Sequence, residues 1–142
     1  MLGLAVAGAA AVVLLPATAL ATPEKVAEEI KKLFGDKKLA PGRIKLELPS
    51  IAENGLVVPL NFEVESPMTE KDYVKSVHLF AEGNPSVGVA AFYFSAMAPK
   101  AAAAIRIRLA KTQEIVAVAE MSNGEVYTVR KEVKVTIGGC GG

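Results

Sequence analysis

From Arg43 onward the chain turns to a period of two, segment after segment, with apolar side chains at every second position as in a strand with one face buried and the other wet. Ile44, Leu46 and Leu48 alternate with Arg43, Lys45 and Glu47. After an Asn54-Gly55 turn signal, Leu56, Val58, Leu60, Phe62 and Val64 continue the pattern. Pro59 has no N–H to give a ladder, so its strand should be an edge or carry a bulge there. Beyond the loop Ser66-Pro67-Met68-Thr69, a third strand runs from about Tyr73 to Phe80 and is ended by Asn84-Pro85. Val87 to Phe94, reading VGVAAFYF, is apolar on both faces, which suits a central strand or one covered by a second protein. The alanine-rich stretch around Pro99 reads as a connection, because alternation resumes only with Ile105, Ile107 and Leu109 against Arg106 and Arg108. Glu114 to Met121 is a sixth strand, and Ser122-Asn123-Gly124 makes a tight hairpin. The last strand sets Tyr127, Val129, Val133, Val135 and Ile137 against Thr128, Arg130, Glu132, Lys134 and Thr136. Short strands joined by turns, with no helix between them, predict an all-β fold: an immunoglobulin-like antiparallel β-sandwich of about seven strands. The Cys and Trp signature of antibody domains is absent, so the architecture by itself names no function.

One helix should precede the sandwich. Thr22-Pro23-Glu24 combines a hydroxyl N-cap, proline at the first helical position and an acid in the first turn. Val26, Ile30, Leu33 and Phe34 then share a face at helical spacing, and Gly35 supplies the stop. The domain is therefore expected to span residues 22–137. In front of it, residues 1–21 form an uncharged apolar run closed by Ala19-Leu20-Ala21, a pattern expected of a signal peptide cut after Ala21. The competing reading, a membrane span, is weakened by Pro16 and by the shortness of the run before it. The positive charge that should lead such a peptide is missing from Met1-Leu2-Gly3-Leu4, which points to a start further upstream. The expectation is an exported protein without stable membrane association once the peptide is removed.

The net charge of +1, with acids and bases interspersed, provides no basic stripe of the kind nucleic acid requires. One cysteine cannot make an internal disulfide, and His78 is the only other usual soft metal ligand, so no metal and no cofactor are assigned. His78 alternates with Val74 and Phe80 and reads as a packed or surface strand residue.

Function is then expected at the end of the chain, Ile137-Gly138-Gly139-Cys140-Gly141-Gly142. Glycines on both sides of Cys140 remove every side chain that could hold it, leaving a thiol on an arm of residues 138–142. The arm reaches roughly 10 Å from the last strand to the cysteine. A nucleophile acting alone needs a base and an oxyanion site in fixed geometry, which this tail cannot supply. It suits delivery into another protein's pocket.

Four stretches carry a resemblance to a known family: LPSIAENGLVVPLNFEV (Leu48 to Val64), SPMTEKDYV (Ser66 to Val74), AVAEMSNG (Ala117 to Gly124) and the terminal VTIGGCGG (Val135 to Gly142). The chain resembles the SoxY family, the sulfur-carrying subunits of the thiosulfate-oxidising Sox system. The resemblance implies that Cys140 is the covalent attachment site for sulfur intermediates and that Gly138, Gly139, Gly141 and Gly142 form a swinging arm. It implies a periplasmic heterodimer with a SoxZ-like subunit and a chain that is a carrier, not an enzyme. Separate proteins would act on the cargo: a haem protein that loads thiosulfate, a hydrolase that releases sulfate and a sulfur dehydrogenase. Family members commonly begin with a twin-arginine signal, and no arginine precedes Leu2. Two other classes compete. A structural or adhesive sandwich could dimerise through a Cys140 disulfide; a thiol or redox enzyme would lack a resolving cysteine and have only His78 as a histidine base.

Overall fold

The computed structural model describes residues 3, 8–11 and 20–139. Most of the expected signal peptide, together with Cys140, Gly141 and Gly142, lies outside the described residues. Helix α1 (Pro23–Phe34) begins as its sequence dictates: the Thr22 hydroxyl accepts the Lys25 N–H at 3.2 Å, and Pro23 opens the first turn. Gly35 closes it at φ 69°, its N–H donating to the Lys31 carbonyl at 2.8 Å. Val26, Ile30 and Phe34 are buried, whereas Leu33, expected on the same face, is exposed.

Nine strands follow among the described residues: β1 (Leu39–Ala40), β2 (Ile44–Glu47), β3 (Ile51–Asn54), β4 (Val58–Val64), β5 (Val74–Ala81), β6 (Gly88–Tyr93), β7 (Ala101–Ile107), β8 (Gln113–Met121) and β9 (Val126–Ile137). One sheet has the order β1-β9-β8-β5-β6, with β3 also pairing to β9; the second is β2-β4-β7. The expected sandwich is present, and its seven expected strands correspond to β2 and β4 through β9. The short strands β1 and β3 are additions, and both run parallel to β9. All other pairings between strands are antiparallel.

The sheets enclose a core built from their alternating residues. Val58, Leu60, Phe62 and Val64 of β4 face Val77 and Leu79 of β5 and Ile115, Ala117, Ala119 and Met121 of β8. The larger sheet is covered on its other face as well. There α1 lays Val26, Ile30 and Phe34 over Phe80, Val116, Val118 and Val126. A strand between two covers should be apolar on both sides, and that strand is β8, in the middle of the sheet.

Three expectations are corrected. The segment from Val87 to Phe94 is not central: β6 forms the edge of its sheet. Its apolar character comes from Val89, Ala90 and Phe92, which pack against the core at the rim, with Phe92 edge-on to Phe62 at 5.1 Å. Second, the alanines after Pro99 are strand and not connection, since Ala101 to Ile107 pair residue for residue with β4. Seven consecutive partners outweigh the modest strand propensity of alanine. Third, Pro59 lies on the middle strand of the smaller sheet, but β2 ends at Glu47, opposite Asn61. At Pro59 the strand has a neighbour on the β7 side alone, so the missing N–H falls where β4 is locally an edge.

Candidate functional site

The longest strand, β9, leads to the cysteine. β8 accompanies it only as far as the Gln113–Val133 pair; beyond that the Val135 N–H donates to the Thr112 hydroxyl at 2.9 Å. On its other side β3 pairs with β9 through Ile51–Lys134, Ala52–Val135 and Asn54–Ile137. The end of β9 is thus held from both flanks, and the hold continues past Ile137. The Gly55 N–H donates to the Ile137 carbonyl at 2.7 Å, the Leu109 N–H to the Gly55 carbonyl at 2.8 Å, and the Gly139 N–H to the Leu109 carbonyl at 2.8 Å.

Contact between these backbones is very close. A Cβ on Gly138 would lie 2.2 Å from the Ala110 carbonyl oxygen, and one on Gly139 would lie 2.7 Å from that of Gly55. A Cβ on Gly55 would meet the Leu109 oxygen at 2.2 Å and the Gly139 nitrogen at 2.7 Å. Sequence reading assigns Gly138 and Gly139 to the arm for their freedom. The structure packs both against the body, where glycine is needed because no side chain fits. Gly139 is buried and Gly138 exposed. Around this junction the apolar side chains of Ile51, Leu56, Val57 and Ile137 stand in solvent.

Gly55, Leu109 and Ala110 belong to the site and were not singled out in the sequence. Asn54-Gly55 signals only a turn, and Leu109 reads as the end of a strand, because a contact between distant backbones leaves no local pattern. The Asn54 side chain does make the expected turn, accepting the Leu56 N–H at 2.9 Å.

His78 is elsewhere. It sits mid-sheet opposite Val118, which in turn pairs with Thr128, about 30 Å of strand before β9 ends at Ile137. Its ring lies among Phe34 (5.4 Å, edge-on), Phe80 (6.2 Å, stacked) and Tyr93 (5.8 Å, edge-on). Burial lowers the His78 pKa below its ordinary 6.5, opposed by the Glu120 carboxylate. The folded protein therefore binds fewer protons than the unfolded chain between that lowered value and 6.5, and stability is lost as pH falls through the window. A His78→Phe variant should escape this loss. Its Tm relative to the unaltered protein should rise as pH is lowered from about 7 to about 5. Glu82, whose carboxyl is raised by burial, has the opposite slope and cancels because both proteins contain it. A Tm difference constant with pH would remove His78 from the acid response.

The remaining charged cluster, Arg130 with Glu82 and Glu114, is partly exposed on the face of the larger sheet. Among the described residues no three of His, Cys, Asp and Glu are grouped as metal ligands would be. No helix among them is long and apolar enough to cross a membrane.

Compared with known proteins, residues 30–140 match the family described as "Sulfur oxidation protein SoxY". The solved structure of the sulfur carrier protein SoxY from Chlorobium limicola f thiosulfatophilum is similar at 32% identity and a TM-score of 0.67, over 80% of this chain and 98% of that one. A superoxide reductase (neelaredoxin) from Ignicoccus hospitalis is similar at 20% identity and a TM-score of 0.59, over 82% of this chain and 94% of that one. A putative superoxide reductase from Thermotoga maritima follows at 17% identity and a TM-score of 0.57, over 75% and 89%. At those identities the reductases share the fold alone. No curated protein sequence matches.

Proposed function

The chain belongs to the SoxY family of sulfur oxidation proteins, and from that premise we propose that it holds thiosulfate-derived sulfur covalently on Cys140 and presents it to partner enzymes in the periplasm. The observation that carries the proposal is the root of the C-terminal segment: an ordered, hydrogen-bonded backbone up to Gly139, followed at once by the chain's single cysteine. His78, the one histidine, is a long way along the sheet from this root. That separation favours a carrier whose chemistry is done by others over an enzyme acting on its own thiol.

In this reading the Cys140 thiolate bonds to the outer sulfur of thiosulfate, and the electron pair released goes to the haem protein that loads it. Water then cleaves the bond between that sulfur and the sulfonate group, freeing sulfate and leaving a persulfide on Cys140 for the sulfur dehydrogenase. The glycines Gly141 and Gly142 keep the far side of the thiol narrow enough to enter a pocket. A SoxZ-like subunit is the proposed permanent partner. The exposed edge of β6, where Tyr93 is 76% exposed and Met97 beyond it 93% exposed, is the proposed contact. The apolar run 1–21 supports export.

Intact mass spectrometry of protein isolated from thiosulfate-grown cells tests the proposal. Adducts of sulfur and sulfonate are expected, confined to the C-terminal peptide, on a chain from which residues 1–21 have been removed. A bare thiol or a disulfide-linked dimer as the only species would overturn it and favour the adhesive sandwich.

A further inference from the structure

We propose that Gly55 and the turn from Arg108 to Lys111 form a backbone clasp that makes Gly138 and Gly139 part of the folded domain, fixing the point from which Cys140 departs. The inference rests on the carrier reading for its purpose, but its geometry stands independently. Three chain segments meet in one continuous run of hydrogen bonds. Ile137 accepts from Gly55, Gly55 accepts from Leu109, and Leu109 accepts from Gly139, at 2.7, 2.8 and 2.8 Å. Leu109 is fully buried: its side chain is anchored in the sandwich core and both of its backbone groups bond the segments of the clasp.

The turn that carries Leu109 is itself locked from behind. Asn84 donates through Nδ2 to the Arg108 carbonyl at 2.8 Å, and its Oδ1 accepts the Ala110 N–H at 2.9 Å. The same side chain therefore grips the residues on both sides of Leu109. Gln113 Nε2 donates to Asn84 Oδ1 at 2.7 Å and to the Lys111 carbonyl at 3.0 Å, while its Oε1 accepts the Gly83 N–H at 2.9 Å. Asn84 and Gln113 are 3% and 7% exposed. Two amides so buried would be costly if unpaired, and three of their bonds, to Arg108, Ala110 and Lys111, fall on one turn. The Asn84 bond to the Ala110 N–H fixes the peptide whose carbonyl, that of Leu109, bonds Gly139, and the next carbonyl, that of Ala110, crowds Gly138.

A thiol offered in turn to several enzymes gains from leaving the body at one defined point. Each residue that is already ordered is one fewer to be ordered when the tail enters a pocket. Gly138 and Gly139 are glycines, on this account, so that the tail's root can lie flat against Gly55.

The test uses the full mature chain with no sulfur substrate or partner present. Amide hydrogen exchange of the unaltered protein should show the Gly139 N–H protected by about 100-fold or more relative to an unstructured amide. In Gly55→Ala, where a Cβ enters the gap against the Leu109 oxygen, protection at Gly139 should fall to about 10-fold or less while the β5 and β8 amides keep theirs. A nitroxide attached to Cys140 should report the same event as narrower spectral lines in Gly55→Ala, a signal that a merely structural glycine would not move. An unprotected Gly139 amide in the unaltered protein overturns the clasp whether or not the variant folds. So does a folded Gly55→Ala protein with unchanged protection and line shape. If the clasp loosens and thiosulfate-dependent turnover by the reconstituted partner enzymes is undiminished, its positioning role is overturned. The exchange readings do not depend on whether Cys140 carries sulfur, and the line shapes are read on the reduced, labelled thiol, so a failure of the carrier reading would show separately, in the adduct masses.

Discussion

Cys140→Ser is expected to abolish thiosulfate-dependent turnover in the reconstituted system, with no sulfur adduct detectable, while folding and partner capture are unchanged. The exchange removes the one atom able to form a sulfur–sulfur bond with the cargo. A serine hydroxyl is far less acidic and far less nucleophilic than a thiol. The stability change should stay within about 0.5 kcal/mol, because the substitution lies in sequence beyond Val133, the last fully buried residue of β9. Urea unfolding of both proteins, pull-down with the SoxZ-like subunit and the turnover assay give the three readings. A serine variant that still supports turnover would remove Cys140 from the mechanism. One that loses turnover because it no longer captures its partner would mean that the tail has a structural task.

Val118→Asp is expected to cost about 3–5 kcal/mol, a large part of the roughly 5–15 kcal/mol that holds a domain of this size together. The reason lies in which face of β8 is covered. On the side turned away from the sandwich core this strand presents Glu114, Val116, Val118 and Glu120. The carboxylates stand at the two ends, and the valines lie under α1. Val118 is fully buried against the helix, and an aspartate there would be a charge with no partner in an apolar layer. Glu120→Gln, two positions along the same face, is the control. Glu120 reaches Lys75 at 3.2 Å and is only partly buried, so its neutralisation should change stability by no more than about 1 kcal/mol. Denaturant unfolding measures both. A Val118→Asp protein within about 1 kcal/mol of the unaltered one would mean that α1 does not seal this face.

β8 also shows where sequence reading reaches its limit. Its existence was legible, and so was that of six other strands, since a strand with one buried face writes its orientation into every second residue. The helix was legible from Thr22, Pro23 and Gly35, whose side chains or backbone angles act within one turn. The order of strands was not. VGVAAFYF and QEIVAVAEM both look apolar on two sides, yet the first is an edge and the second lies mid-sheet. Composition does not separate them, although β6 leaves Ala91 and Tyr93 exposed while β8 buries seven of its nine residues. The two parallel partners of β9 were invisible for a related reason. β1 is only two residues long, and β3, though as long as β2, buries Ala52 alone and so shows no alternation.

The carrier site divides along the same line. Sequence by itself determined the fold class, the family and the one thiol, since a single cysteine among glycines at the end of a β domain is a chemical fact independent of how the strands are ordered. Only the tertiary structure decided that Gly138 and Gly139 rest against Gly55 and the Leu109 turn, and that Asn84 and Gln113 stand behind that turn. A glycine kept for conformational freedom and a glycine kept because another backbone lies against it are the same letter, and what distinguishes them is a carbonyl oxygen brought near by the folding of a remote segment.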